Sequence, residues 1–376
     1  MSWETEARFF INACIEFMFG KVVSQEALPE WERILRIASK HRILPLISHY
    51  ILKYHIDQRM HDDRIDLIIS DIVILNRIRN QKLLDFSNEI KSSLADKGIN
   101  IIFRKGLFLE QAVYGNIGLR YFNDIDLFVS SGDRKICQDF LISRGFRFGW
   151  FNQVTAHFTS LSREEEIHYQ LYADHLPPMV LINNDPLLSV IKLDVCFDIS
   201  WFTSDFRSSA HTFLHHELSR TSGNDSFNNA SVEFHFVDGC LHLFREAYFE
   251  ANIIDSGTNG VRISKFLDIA LMWKKLSYNG ERVYKALKST ELDVSGIVRR
   301  IAWVAFHVDA LFGTDIMGGM NLKLWIEGGF PFTWESRGGE IKRWRGSMNE
   351  RLFSTDIAHV FYGALGSGLP KSMPED

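Results

Sequence analysis

Cysteine is scarce and scattered: Cys14, Cys137, Cys196 and Cys240 are the only four in 376 residues, and no two form a C-x-x-C pair. That spacing excludes a compact disulfide framework and the usual zinc patterns, and it fits reduced thiols in the cytoplasm. No apolar run reaches the roughly 18–20 residues that a membrane span needs. The first residues, Met1 to Arg8, carry Glu4 and Glu6, which is not the charge of a secretory signal. A positive surplus is also missing. Lys and Arg number 42 against 47 Asp and Glu, giving a formal charge of −5 and a pI near 6.3. Without a global basic field the chain is not a dedicated polyanion binder, so a long nucleic acid is disfavoured as substrate, although a small local basic patch remains compatible with one nucleotide.

Three catalytic signatures are absent as well. There is no G-x-x-x-x-G-K-[ST] P-loop and no G-x-S-x-G elbow, and His215-His216-Glu217 is not the H-E-x-x-H of a zinc hydrolase. The remaining histidines, among them His157, His168, His175, His235 and His242, are scattered and read as packed or surface residues. His242 and Arg245 share a helix face and could line a cleft toward an acceptor.

With 46% hydrophobic residues, a sizeable core is available, and the length suits two or three structural units. Residues 1–97 read as helical. Phe9, Phe10, Ala13, Cys14, Phe17 and Met18 mark one amphipathic face, and Ile65, Ile68, Ile69, Ile72, Leu75 and Ile78 begin another that Leu83 to Leu94 extends, with Gly98 as its C-cap. Residues 98–205 alternate between strand and helix. A helix is expected over 133–144, and strands over 146–148, 156–161 and 167–171. Residues 206–376 return to helices, most clearly at 236–247, 264–275 and 294–312. Gly pairs at 318, 328 and 338 punctuate turns in the tail. There, residues 322–326 and 332–334 read as strand or loop, and the end from Gly368 reads as frayed.

The most informative segment is Asn123-Asp124-Ile125-Asp126-Leu127-Phe128-Val129. In a strand, Asp124 and Asp126 share one face while Ile125 and Leu127 bury on the other. Paired carboxylates repel unless a cation sits between them, and magnesium is held by one or two carboxylates plus substrate phosphates. A strand end with solvated acids would look the same in isolation. Upstream, however, Ile99 to Arg104 reads as a buried strand, Lys105-Gly106 follows, and a helix over 107–114 begins. A strand, a glycine and a helix start point backbone N–H groups at an anion, and Gly106 admits close approach. Arg104, Lys105 and Arg120 add positive charge beside it.

Phe103-Arg104-Lys105-Gly106, then Arg120 to Val129, resembles the uncharacterised nucleotidyltransferase family of the DNA polymerase beta-like superfamily. Trp31 to Leu46 is similar to its helical lead-in, and Arg262 to Ala270 to its C-terminal helix with an inner Asp268. The resemblance covers roughly residues 25–275. It departs from the wider superfamily in two respects: Leu107 follows Gly106, so no hydroxyl is offered there, and sixteen residues (108–123) precede Asp124. Asp268 reads as structural, pairing with an arginine or capping a helix.

The resemblance implies an α+β protein with a small mixed sheet of polymerase beta-like type between helical flanks. It also implies a third carboxylate on a neighbouring strand. Ile191 to Ile199 alternates as a half-buried strand, with Asp194 on the polar face and Cys196 where the family commonly has His. Asp194 is the first choice, and Asp198 and Glu166 remain open. The implied reaction transfers NMP from an NTP such as ATP to an acceptor hydroxyl, with release of pyrophosphate. Two Mg²⁺ ions about 3.5–4 Å apart would assist, held by Asp124, Asp126 and Asp194. Lys105, Gly106 and Arg120 would hold the triphosphate. The acceptor could be a small molecule, a peptide or protein, or an RNA end. A non-catalytic nucleotide-binding module that keeps the fold is the alternative.

Overall fold

Alternation of apolar and polar residues, at period 2 in the middle of the chain and near 3.6 on either side, builds a sheet set among helices. We describe it from a computed structural model. Described are residues 3–21, 28–56, 65–115, 117–152, 155–171, 174–201, 203–220, 230–249, 261–354 and 360–361. The tail from Gly368, expected to fray, lies outside them. Among the described residues no helix is long and apolar enough to cross a membrane.

The N-terminal helices are α1 (Trp3–Phe19), α2 (Trp31–Lys40), α3 (Leu44–Lys53) and the long α4 (Ile65–Ala95). Six strands follow in one mixed sheet: β1 (Ile101–Arg104), β2 (Asp124–Val129), β3 (Arg147–Asn152), β4 (His157–Ser160), β5 (Met179–Ile182) and β6 (Val190–Cys196). Their order is β1-β2-β6-β5-β3-β4, and β2 and β6 run parallel while the other neighbours are antiparallel. Between β1 and β2 stands α5 (Lys105–Phe108), which continues as a π-helical turn over Leu109–Val113. Then come α6 (Arg134–Ser143) and α7 (Arg163–Leu171). The C-terminal part supplies α8 (Arg207–Arg220), α9 (Val232–Tyr248), α10 (Ile263–Lys275), α11 (Gly280–Lys288), α12 (Ser295–Phe312), α13 (Ile316–Gly319), the small hairpin β7 (Thr333–Glu335) and β8 (Ile341–Arg343), and α14 (Met348–Phe353).

The two faces of the sheet enter different cores. Ile101, Phe103, Ile125, Leu127, Leu193 and Val195 pack with Leu83, Leu84, Ile90 and Leu94 of α4 and with Phe140 and Leu141 of α6. Ile102, Phe128 and Cys196 point the other way, into a core that α1–α3 share with α8–α14. The amphipathic face of α1 lies in that shared core, with Phe9, Phe10, Ala13, Cys14 and Met18 buried. All four cysteines are buried and unpaired.

Three sequence expectations change. Residues 167–171 are not a strand but the second half of α7. Residues 323–332 form 3₁₀ turns broken at Glu327, Gly328 and Gly329. The expected apolar face of α4 is only partly covered: Ile69 is buried, but Ile68, Leu75 and Ile78 are 57%, 47% and 42% exposed. A 31-residue helix runs about 46 Å, so only its C-terminal half lies on the sheet.

Candidate active site

Register brings the three predicted carboxylates together. On the parallel strands β2 and β6, Asp126 stands opposite Asp194 and Asp124 opposite Lys192. Because period 2 fixes the face, Asp124, Asp126 and Asp194 all turn away from the α4 core. Asp126 is buried, whereas Asp124 and Asp194 are half-buried. One cation answers them directly, as Lys105 Nζ donates to Asp126 Oδ1 at 2.5 Å. Burial, with the charges of Asp124 and Asp194, outweighs Lys105 and pushes Asp126 up to about 7. Burial also acts to raise Asp194, but the His175 hydrogen bond and the Lys105 charge prevail and hold it below the usual carboxylate range. Three carboxylates against the Lys105 ammonium and the His175 ring beside Asp194 leave the cluster net negative. The carboxylates are all hard oxygen donors, so the set fits Mg²⁺.

Local backbone places Lys105. It follows the extended Arg104 and adopts φ 49°, left-handed for a residue with a side chain, a strain that the surrounding structure must hold in place. Gly106 has a tighter constraint than anion approach. A Cβ there would lie 2.4 Å from Phe122 Cβ and 2.5 Å from Phe122 Cγ. The ring of Phe122, just before the acidic strand, therefore fills the space that Gly106 vacates. Gly106→Ala is expected to destabilise the nucleotide-free protein by about 1–3 kcal/mol, the range for overpacking. A denaturant midpoint equal to wild type would count against this contact.

The 16-residue gap before Asp124 is a braced loop. Glu110 accepts from the Gly118 and Arg120 amides at 2.6 and 3.1 Å. Asn76 and Asn80 of α4 donate to the carbonyls of Gly118 and Arg120 at 2.7 and 2.9 Å. Gly118, at φ 82°, has no room for a Cβ, which would meet Arg77 Cα at 2.7 Å. Arg120 lies in the wall of a cavity beside Asp124, yet its guanidinium is turned onto Asp268 of α10. Nε and Nη2 donate to both carboxylate oxygens at 2.8–3.1 Å, and Tyr114 Oη donates to the same group at 2.9 Å. The expected structural pairing of Asp268 with an arginine is thus with Arg120. Arg104 is likewise engaged, through Nε to Asp238 of α9 at 3.0 Å and over the Phe128 ring.

Of the other carboxylates considered, Asp198 is buried and accepts from the Ser200 amide and hydroxyl at 3.0 Å. Its remaining oxygen faces Arg207 and His211 at 3.8 and 3.6 Å. Glu166 is exposed on α7. Neither joins Asp124 and Asp126. A residue that sequence reading passed over does join: His175 Nδ1 lies 3.4 Å from Asp194 Oδ1. Its position follows from a bridge to Cys196 on the neighbouring backbone. The neighbouring Cys196 sulfur and the Asp194 hydrogen bond push His175 up to about 10 against burial. His175, Asp194 and Cys196 present ligand atoms within 4.8 Å of one another. Arg104 Nη1, however, already donates to Cys196 Sγ at 3.3 Å, so a soft cation there would sit beside a fixed positive charge.

Two cavities meet at this cluster. The larger, about 940 Å³, is lined by Asp194 and His175 and by the aromatic rings Trp150, Tyr169, Trp201 and Phe249. The smaller, about 280 Å³, lies beside Gly106 and Asp126. Lys105, Asp124 and His242 line both. His242 is therefore on a cleft wall as its helix face suggested, and Arg245 lines the larger cavity. Arg42, Arg262 and Lys265 of the helical flanks also line the smaller one; their segments resembled the family, but nothing in their spacing pointed to a site 60 or more residues away.

A family model described as "uncharacterised nucleotidyltransferase" matches residues 28–308. The chain belongs to this family. The matched span takes in α2 and α3, the whole six-stranded sheet and α8 to most of α12, so every residue of the carboxylate cluster lies inside it. Nucleotidyl transfer, with an NTP as substrate, is the chemistry the family description supports. No curated protein and no solved structure matches the chain.

Proposed function

We propose that this nucleotidyltransferase moves NMP from an NTP to an acceptor hydroxyl. The observation that carries the reading is the β2–β6 register, which sets Asp126 beside Asp194 with Asp124 on the same face. The acceptor oxygen forms a new bond to the α-phosphorus, the bond from that phosphorus to the bridging oxygen breaks, and pyrophosphate leaves with the electron pair. The acceptor proton passes to solvent. Asp124, Asp126 and Asp194 would hold Mg²⁺, which neutralises phosphate charge when bound. Positioning and charge neutralisation supply most of the rate in such chemistry.

The chain's own groups do the rest. Asp194 stays ionised at neutral pH, and His175 fixes its orientation. Lys105 lies where the two cavities meet and offers its charge to a triphosphate there. The large cavity has the volume and the ring faces for a nucleoside and an acceptor of small-molecule, peptide or RNA-end type.

One observation favours a second reading. Lys105 already occupies Asp126, as a built-in cation would in a module that binds nucleotide without turnover. Incubation with ATP, GTP, CTP or UTP and Mg²⁺, followed by assay of thermal shift and then of pyrophosphate release with a cell extract as acceptor source, separates the two. Transfer requires both signals, and binding without release favours the module. Asp194→Ala is expected to keep most of the thermal shift, since Asp124 and Asp126 remain, and to lose release. Normal release by Asp194→Ala would remove it from the site.

A further inference from the structure

We infer that the smaller cavity seats the β- and γ-phosphates of the NTP, and that Arg42 and Arg262, contributed by the helical flanks, clamp them. This assignment rests on the nucleotidyl-transfer reading and deepens it.

Five cations line the cavity: Arg42, Lys105, Arg120, Arg262 and Lys265. Three have carboxylate partners, since Lys105 pairs with Asp126, Arg120 with Asp268 and Lys265 with Glu246. Arg42 and Arg262 differ. Among the described residues no carboxylate lies within ion-pair distance of either. Arg42 Nη1 reaches Asn123 Oδ1 at a long 3.4 Å. Arg262 Nε is shut off from solvent with no hydrogen-bond partner. A buried donor without an acceptor is costly, and a charged one more so. Burial and then the Arg42 charge both act against the charged Arg262, so the two guanidinium groups are close enough to repel. Arg42 follows the C-cap of α2, where its φ of 54° is the left-handed turn that closes the helix, the Ile43 amide donating to the Ala38 carbonyl at 2.9 Å.

An anion between them removes these costs together. The guanidinium fork matches phosphate oxygens in pairs, which a lysine cannot do. Position decides which anion. The cavity opens onto Lys105 and Asp124 at the seam, so terminal phosphates held by Arg42 and Arg262 leave the α-phosphorus at the carboxylates. The nucleoside then falls on the side of Trp150, Tyr169 and Trp201. At about 280 Å³ the small cavity suits a diphosphate group, and its lining reads charge, not base.

The test titrates wild type, Arg262→Ala, Arg262→Lys and Arg42→Gln with Mg²⁺ plus inorganic tripolyphosphate, and separately with Mg²⁺ plus each NTP, by calorimetry. Melting temperatures are recorded without ligand. Arg262→Ala is expected to lose at least tenfold in affinity for tripolyphosphate and for all four NTPs alike. Its ligand-free melting temperature should be equal to wild type or higher, because a repulsive charge is gone. Arg262→Lys should restore part of the affinity, and Arg42→Gln should repeat the loss if Arg262→Ala does not fold. Unchanged tripolyphosphate affinity in both Arg262→Ala and Arg42→Gln overturns the clamp, as does a wild type that binds no tripolyphosphate. If wild type binds tripolyphosphate through Arg262 but no NTP, the anion site stands and the nucleotidyl-transfer reading falls.

Discussion

Asp126→Asn is expected to abolish nucleotidyl transfer while making the metal-free protein more stable above pH 7. The activity loss should exceed about a hundredfold, since groups that merely orient a metal ligand are worth about 10–100-fold and Asp126 would be a ligand itself. The stability gain follows from linkage. In the folded chain Asp126 is held up to about 7, against about 3.9 in an unfolded one. Below pH 4 the carboxyl is protonated in both states and costs nothing. Between pH 4 and pH 7 the unfolded carboxyl ionises while the folded one, buried beside Asp124 and Asp194, keeps its proton, so stability is lost over that window. Asparagine has no such carboxyl, although it also gives up the Lys105 ion pair. The melting-temperature gap between variant and wild type in EDTA should therefore open between pH 4 and pH 7 and stay open above. An Asn variant that is less stable at pH 8 would contradict the arrangement, and wild-type turnover would remove Asp126 from the chemistry.

The second large effect is on the fold. Asp268→Ala should cost about 3–5 kcal/mol, the range for removing one partner of a buried ion pair. The side chains of Arg120 and Asp268 are only 10% and 7% exposed, so neither is rescued by water. Truncation leaves the guanidinium with no counter-charge and Tyr114 Oη with no acceptor. Replacing both partners by apolar residues, as in Arg120→Met with Asp268→Leu, should recover much of the loss because no charge is then stranded. Urea midpoints measure both variants, and a shift below about 1 kcal/mol for Asp268→Ala would show that the pair braces little.

The carboxylate strands were legible because strand period leaves no freedom. Once Ile125 and Leu127 bury, Asp124 and Asp126 must face the other way, and Leu193 and Val195 fix Asp194 in the same manner. The register that sets Asp126 beside Asp194 was not legible, because no local pattern fixes which strands pair; only the family resemblance implied a neighbouring strand. Residues 167–171 were misread for want of context. Five residues of mixed polarity fit either period, and the deciding signal lay upstream: Ser162 Oγ accepts from the Glu165 amide, and Glu165 answers at the Ser162 amide, a reciprocal cap that opens a helix. The role of Arg120 was harder still. Its charge is visible in the sequence, but the partner that claims it stands 148 positions away. His175 joins Asp194 only through a backbone bridge to Cys196, and no local pattern announces that.

The shared core of α1–α3 with α8–α14 also sets an order of events during synthesis. A nascent chain of 205 residues already carries both acidic strands, but Arg104 has no Asp238 and Arg120 no Asp268. The sheet face that bears Phe128 and Cys196 lacks its α9 partners, among them Phe234 against the Phe128 ring, until they are made. An excised segment covering only residues 98–205 is therefore expected to collapse or aggregate instead of binding NTP.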